Sequence, residues 1–243
     1  MRKLIGTELK LLLREPVGLF FAVAFPSILV GILGSIPGFR EPSADLGGGR
    51  VIDLYVPIAV ALVLAMAALQ FTPAVLATYR ERGVLRRLSV TPVHPGRLLA
   101  AQLVTSLLTV LVSATLVMTV GRVAFDVPLP ANPVGFLLAL VLAAAGLFGI
   151  GLLIAALVPT GKAGNAVGTI LFFPTMFFAG LWTPREVMPE TLRRIGDLTP
   201  LGAGEHALHD AATGAWRALA QLAVLVAYIV VFGAAAARLF RWE

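Results

Sequence analysis

No cysteine occurs in the 243 residues. That excludes disulfides, thiol nucleophiles and cysteine-ligated metal. Charge is also scarce: 13% of residues are Asp, Glu, Lys or Arg, against about 25% in an ordinary soluble domain. So few charges cannot cover a water-exposed surface. A transmembrane β-barrel would show ten-residue alternating segments, and none appear. A phosphate-binding loop is missing too. Gly161-Lys162 would need glycine five residues earlier and Ser or Thr after the lysine, where Ala156 and Ala163 stand. What the chain has instead is apolar length. It is 58% hydrophobic, in runs long enough to cross about 30 Å of hydrocarbon. The expected fold is all-α, a polytopic membrane protein forming one domain over 1–243.

Met1 to Glu15 reads as an amphipathic helix lying on membrane lipid. Ile5, Leu9, Leu12 and Leu13 share one face, and Arg2, Lys3, Lys10 and Arg14 are available to headgroups. Ala22-Val23-Ala24 resembles a cleavage site, but Pro16 interrupts the segment and the apolar run continues to Ile36, so no cleavage is expected. Six spans are expected at 17–36, 54–77, 98–120, 134–158, 164–181 and 219–237. Gly146, Gly149 and Gly151 in the fourth permit close helix contact. None of these spans carries a charge, which argues against a proton- or ion-coupled transporter.

Basic residues set the orientation. With a cytoplasmic N-terminus, 12 Lys and Arg fall inside and 7 outside. Both termini and the stretch after the second span are expected in the cytoplasm, with the whole in the plasma membrane. The net charge of +6 then reflects topology, and no nucleic-acid partner is expected. The outer segment 182–214 is expected to form short helices that pack on the span ends or re-enter the membrane. Thr183-Pro184-Arg185-Glu186 fits a capping box, Thr199-Pro200 a second helix start, and Gly196 and Gly214 plausible stops. Within it, Glu205-His206-Ala207-Leu208-His209-Asp210 resembles a metal cluster but lacks the His-Glu-x-x-His order, and simple polar contacts explain it better. No metal or other cofactor is expected on this chain.

Between the second and third spans, 79–95 holds Arg80, Arg82, Arg86 and Arg87, with Arg97 just beyond. Val84, Leu85 and Leu88 fall on one helical face, and Thr91-Pro92 and His94-Pro95 stop the helix. The alternative is a loop whose arginines only fix topology. In the fifth span Phe172, Phe173, Met176, Phe177 and Phe178 form either a pliable surface for apolar ligands or a packing and lipid face. Gln70 and Gln102 either line a path or bond across helices.

Tyr79-Arg80-Glu81-Arg82-Gly83-x-Leu85-Arg86-Arg87-Leu88-x-x-Thr91-Pro92 followed by Arg97-Leu98-Leu99 resembles the signature of ABC-2 type transporter permeases, most closely the bacterial drug-resistance and antibiotic-export branch. Leu181-x-x-Pro184-x-x-x-Met188-Pro189 and Leu198-x-Pro200-Leu201 also fit. The resemblance implies the membrane subunit of an ATP-driven exporter of apolar or amphipathic substrates. It has no catalytic site of its own, so ATP and Mg would be bound by two separate ABC ATPase subunits. It would pair with a second permease copy or a related one. The loop after span two would be the coupling helix, giving Glu81, Arg82, Val84, Leu85, Arg86, Arg87 and Leu88 the ATPase contact. Spans two and five would border the path, giving Gln70, Phe173, Met176 and Phe177 to the substrate. Competing readings are a membrane-embedded lipid-modifying enzyme and an exporter of lipid-linked polysaccharide.

Overall fold

The structure is a computed structural model, describing residues 2–43, 46, 48–84, 87, 96–215 and 218–239. The described elements are helical apart from an isolated bridge between Pro42 and Arg50. They are α1 (Arg2–Leu13), α2 (Pro16–Gly34), α3 (Val51–Glu81), α4 (Gly96–Phe125), α5 (Pro133–Leu157), α6 (Gly161–Phe178), α7 (Glu190–Leu198), α8 (Pro200–Thr213) and α9 (Leu219–Leu239). Single turns at Pro37–Arg40 and Arg185–Val187 join them.

Five of these, α2, α3, α4, α5 and α9, are long and apolar enough to cross a membrane. The expected fifth span is a helix, but it is not among them. It begins at Gly161 rather than Gly164 and so takes in Lys162, with Asn165 one turn on, diluting its apolar length. The second span is longer than expected, running on through Tyr79, Arg80 and Glu81, which the sequence assigned to the loop. The third extends to Phe125.

α3 is the axis of the bundle. Every residue from Val56 to Leu69 is buried, and α2, α4, α5, α6 and α8 all pack on it. A helix that is apolar all round belongs inside. Between apolar helices in lipid there is no hydrophobic drive, so close packing and polar ties hold the bundle. At its start Arg50 makes a two-pronged ion pair with Asp53, at 2.9 and 2.6 Å, and donates to the carbonyls of Phe125 and Asp126. That fixes α3 to the end of α4. This end of the bundle is called the Arg50 end below, and the opposite one the Glu81 end.

Two prolines shape the long helices in one way. A π-helical segment, Met66–Phe71, precedes Pro73, and another, Phe20–Ala24, precedes Pro26. Proline has no amide hydrogen for the carbonyl four residues back, and an inserted residue widens the turn to accommodate it. Thr72 Oγ1 donates to the Ala67 carbonyl at 2.8 Å, and Ser113 of α4 donates to that of Val23 at 3.4 Å. The carbonyls of Ala68 and Leu69 face glycines. A Cβ at Gly151 of α5 would overlap the first, and one at Gly168 of α6 the second. Gly161 and Gly164 meet Thr78 and Pro73 in the same row, so α6 runs antiparallel to α3 with almost no gap.

α6 stops short of the Arg50 end. Just beyond it, Gly180 lies where an added methyl would meet Ile58, and the Leu181 carbonyl accepts from Tyr55 at 3.3 Å. The α7–α8 hairpin fills the remaining space. The amides of Ala131 and Asn132 bond the carbonyls of Ala212 and Ala211, so α8 ends level with the start of α5. From there α8 lies along α5, where Gly204 packs on Ala143 near mid-helix. Tyr228, midway along α9, donates to the Leu198 carbonyl at the hairpin turn at 3.1 Å. The hairpin therefore dips back into the bundle, with Leu201, Ala203, Ala207 and Leu208 fully enclosed.

Two expectations for this segment are corrected. Pro184 is not the first helical residue but an extended one before the short Arg185–Val187 turn, and the first α-helix of the segment starts only at Glu190. Gly196 is buried inside α7 against Phe178 rather than ending it. Thr199 does cap α8, accepting from Gly202, and Gly214 ends it at φ 81°.

Candidate coupling end and transport face

The Glu81 end is built by the last turn of α3. There Arg80 reaches the turn between α5 and α6 and donates to the carbonyls of Ala156, at 3.1 Å, and Val158. Glu81 accepts from the Gly161 amide at 3.1 Å. These groups are the ones that helix ends leave without intrahelical partners. The signs also suit the helix dipoles, with the cation at the C-terminus of α5 and the anion at the N-terminus of α6. Thr160 adds a cap on Ala163 at 3.2 Å. Glu81, expected to face a partner, thus faces α6.

Tyr79 points the other way. Its hydroxyl donates to both carboxylate oxygens of Glu8 on α1, at 3.1 and 2.9 Å. Glu8 is 6% exposed, and burial raises its pKa above the usual glutamate value, opposed by the Tyr79 hydrogen bond. α1 also packs on α4. The sequence held a signal for this contact. Glu8 lies in the apolar stripe of α1, three residues after Ile5 and four before Leu12, where a carboxylate needs a partner.

Beyond Glu81, Arg82 is exposed and Gly83 turns the chain at φ 65°. Arg87 is exposed and donates to the Arg82 carbonyl at 2.8 Å. Val84, expected on the outward docking face, is half-buried against a small cluster of Leu76, Leu98 and Ala155. Leu85, Arg86 and Leu88 lie outside the described residues, as do 89–95 with both prolines.

The expected path residues separate into two environments. Phe173 is 54% exposed, edge-on to Phe172 and stacked on Trp182 with centroids 6.0 Å apart. Phe177 is half-buried and edge-on to Phe178. Met176 is fully enclosed in the core. Gln70 is half-buried in the π segment beside Gly168. Trp182 went unremarked in the sequence because it follows the apolar run.

In the hairpin, Asp197 sits between Arg185, at 2.5 Å, and His206 Nδ1, at 3.0 Å. Gln221 of α9 lies 2.8 Å from the same ring nitrogen, and Asp210 3.7 Å from Nε2. His206 is thereby a structural tie among α7, α8 and α9. Among the described residues no group of three or more His, Asp and Glu is arranged to hold a metal.

Comparison with known proteins places the chain in a family. A family profile described as ABC-2 type transporter matches residues 2–211. The probable multidrug ABC transporter permease YbhR of Escherichia coli, in strain K12 and in O157:H7, is 27% identical over 146 residues. That stretch is 60% of this chain and 40% of the length of each relative.

Proposed function

The chain belongs to the ABC-2 type transporter family, and on that premise we propose that it is the permease subunit of an ATP-driven exporter of apolar or amphipathic compounds. It works with two separate ABC ATPase subunits and a second permease, either another copy or a relative. The segment from Arg82 onward meets the ATPase, with Leu85 and Leu88 as apolar anchors and Arg82, Arg86 and Arg87 on the rim. The Glu81 end, with both chain termini, faces the cytoplasm. The likeness to permeases named for multidrug transport supports the substrate class.

The observation that carries this reading is α3. It runs from Val51 to Glu81 through the centre of the bundle and ends where the basic segment begins. A stiff rod packed on five other helices is the element through which a push at one end moves the rest. For that push to do transport work, substrate must bind the two resulting states with different affinity. The exposed aromatic pair of Phe173, on the helix packed against this rod, and Trp182, just beyond its end, supplies a surface whose shape changes with it.

The test is co-purification of an ABC ATPase with the chain, together with ATP hydrolysis by the pair. Leu85→Asp places an unpaired charge at a buried contact, which is costly, and should abolish both. Arg86→Ala, on the rim, should weaken them less. A Leu85→Asp chain that binds and stimulates the ATPase like the parent would return the basic segment to a topology role.

A further inference from the structure

Within the permease reading, we propose that Arg80 and Glu81 are positioning residues that lock the end of α3 to the α5–α6 turn, so that force on the basic segment passes directly into α6. The sequence placed Glu81 on the surface offered to a partner. The structure gives its carboxylate to the Gly161 amide and the Arg80 guanidinium to the Ala156 and Val158 carbonyls.

Three features make this a clamp rather than a chance contact. First, it is two-sided. One residue holds the last carbonyls of α5 and its neighbour holds the first amide of α6, so the turn between them is gripped at both ends. Second, each charge matches the dipole end it touches, so exchanging the two residues would set both charges against the dipoles. Third, the clamp has no slack beneath it. Gly161 lies directly against Thr78 and Ala74 of α3, where even a methyl group would overlap the Thr78 hydroxyl. A movement of the last turn of α3 therefore displaces the start of α6. Along the covalent chain the same signal would have to pass through α4 and α5 first. α6 is the helix that carries Phe173 and Phe177, so the clamp joins the driven segment to the helix bearing the aromatic face, with Phe173 about three turns beyond Gly161.

The two possible roles of Glu81 predict different results for its amide. Glu81→Gln keeps an oxygen that can accept from Gly161 but removes the charge. Glu81→Ala removes both. A clamp survives the first and fails in the second, whereas a charged docking contact fails in both. Hydrogen exchange at residues 158–163 of the full chain in nanodiscs reads the clamp without any partner. Exchange should rise about tenfold in Glu81→Ala, the loss expected for one hydrogen bond, and much less in Glu81→Gln, which keeps the bond and gives up only the charge. Arg80→Lys, a point charge that cannot reach two carbonyls as a fork can, should fall between.

Transmission is read in the complex with the co-purified ATPase. A bimane label goes on Ile170→Cys, a position 70% exposed on α6, in a chain with no other cysteine. ATP with vanadate should shift the label's emission in the parent and in Glu81→Gln. It should do so no longer in Glu81→Ala, while the ATPase stays bound and hydrolyses ATP. Equal shifts in all three overturn the proposal, and so does loss in Glu81→Gln alongside Glu81→Ala. A parent chain that captures no ATPase would sink the permease reading. The clamp is then judged on exchange alone, where equal rates in Glu81→Ala and the parent overturn it.

Discussion

Gly168 of α6 and Leu69 of α3 meet so closely that the Leu69 carbonyl oxygen occupies the place a side chain at Gly168 would take. The contact exists because Pro73 frees that part of the α3 backbone, and because only glycine lets a neighbouring helix approach a carbonyl to this distance. Overpacking at such a site costs about 1–3 kcal/mol or more. Gly168→Ala should therefore lower the thermal unfolding temperature clearly. Gly233→Ala, on α9 where the added methyl meets nothing within 4 Å, should leave it unchanged or raise it slightly, since alanine favours helix by up to about 1 kcal/mol. Equal effects of the two would mean that the α3–α6 contact is slack.

The Glu8–Tyr79 contact should respond to pH in a direction set by burial. The docked carboxyl has its pKa raised above 4.5, chiefly by desolvation, while the undocked one titrates near its ordinary value. In the window between the two, the docked form binds more protons, so docking strengthens as pH falls. The contribution is full below the undocked pKa and is lost as pH rises through the docked one. Hydrogen exchange of α1 amides, corrected for intrinsic rate, should slow on mild acidification in the parent. Glu8→Gln should be flat across the same range. A parent with no slope in that window would place Glu8 in water.

Phe173 and Met176, three residues apart on α6, should differ in what they control. Phe173→Ala removes an exposed ring stacked on Trp182 and should change which compounds are exported, with assembly intact. Met176→Leu keeps the volume of an enclosed side chain and should cost under about 1.5 kcal/mol, with the export profile unaltered. A panel of apolar dyes separates the two cases. If Phe173→Ala exports the same set as the parent, that face is for lipid contact or packing.

Orientation is testable on the same cysteine-free background. Thr191→Cys on α7 should react with an impermeant maleimide on intact cells. Arg82→Cys, exposed at the Glu81 end, should react only after permeabilisation. The reverse pattern would invert the topology and remove the coupling role of the basic segment with it.

Much of the architecture was legible because apolar runs translate directly into long helices, and because Thr199 and Gly214 carry local signals that fix where α8 begins and ends. Helix ends were less legible where polar residues bond to other helices of the same chain. Tyr79, Arg80 and Glu81 read as loop because they are polar, yet each finds its partner on a different element 71 to 80 positions away. Spacing along the chain cannot report such a contact. For the same reason Val84 read as part of an outward face, although it packs on α4 and α5 residues brought beside it by the fold. The π segments escaped notice because a proline announces a disturbance without saying whether the helix kinks, breaks or widens.

The widened turn at Met66–Phe71 makes α3, in effect, an ordinary helix with one surplus residue. Everything after Phe71 is rotated by about 100° from the face that an uninterrupted helix of 3.6 residues per turn would present. Removing a single residue inside that segment would return the turn to regular winding and leave Tyr79, Arg80 and Glu81 pointing where they do now. Removing one residue anywhere else in α3 would turn all three away from Glu8, the α5 terminus and Gly161 at once. In a lineage of such chains, length changes in this helix are therefore expected to collect at one place, with the six residues before Thr72 acting as its only expansion joint.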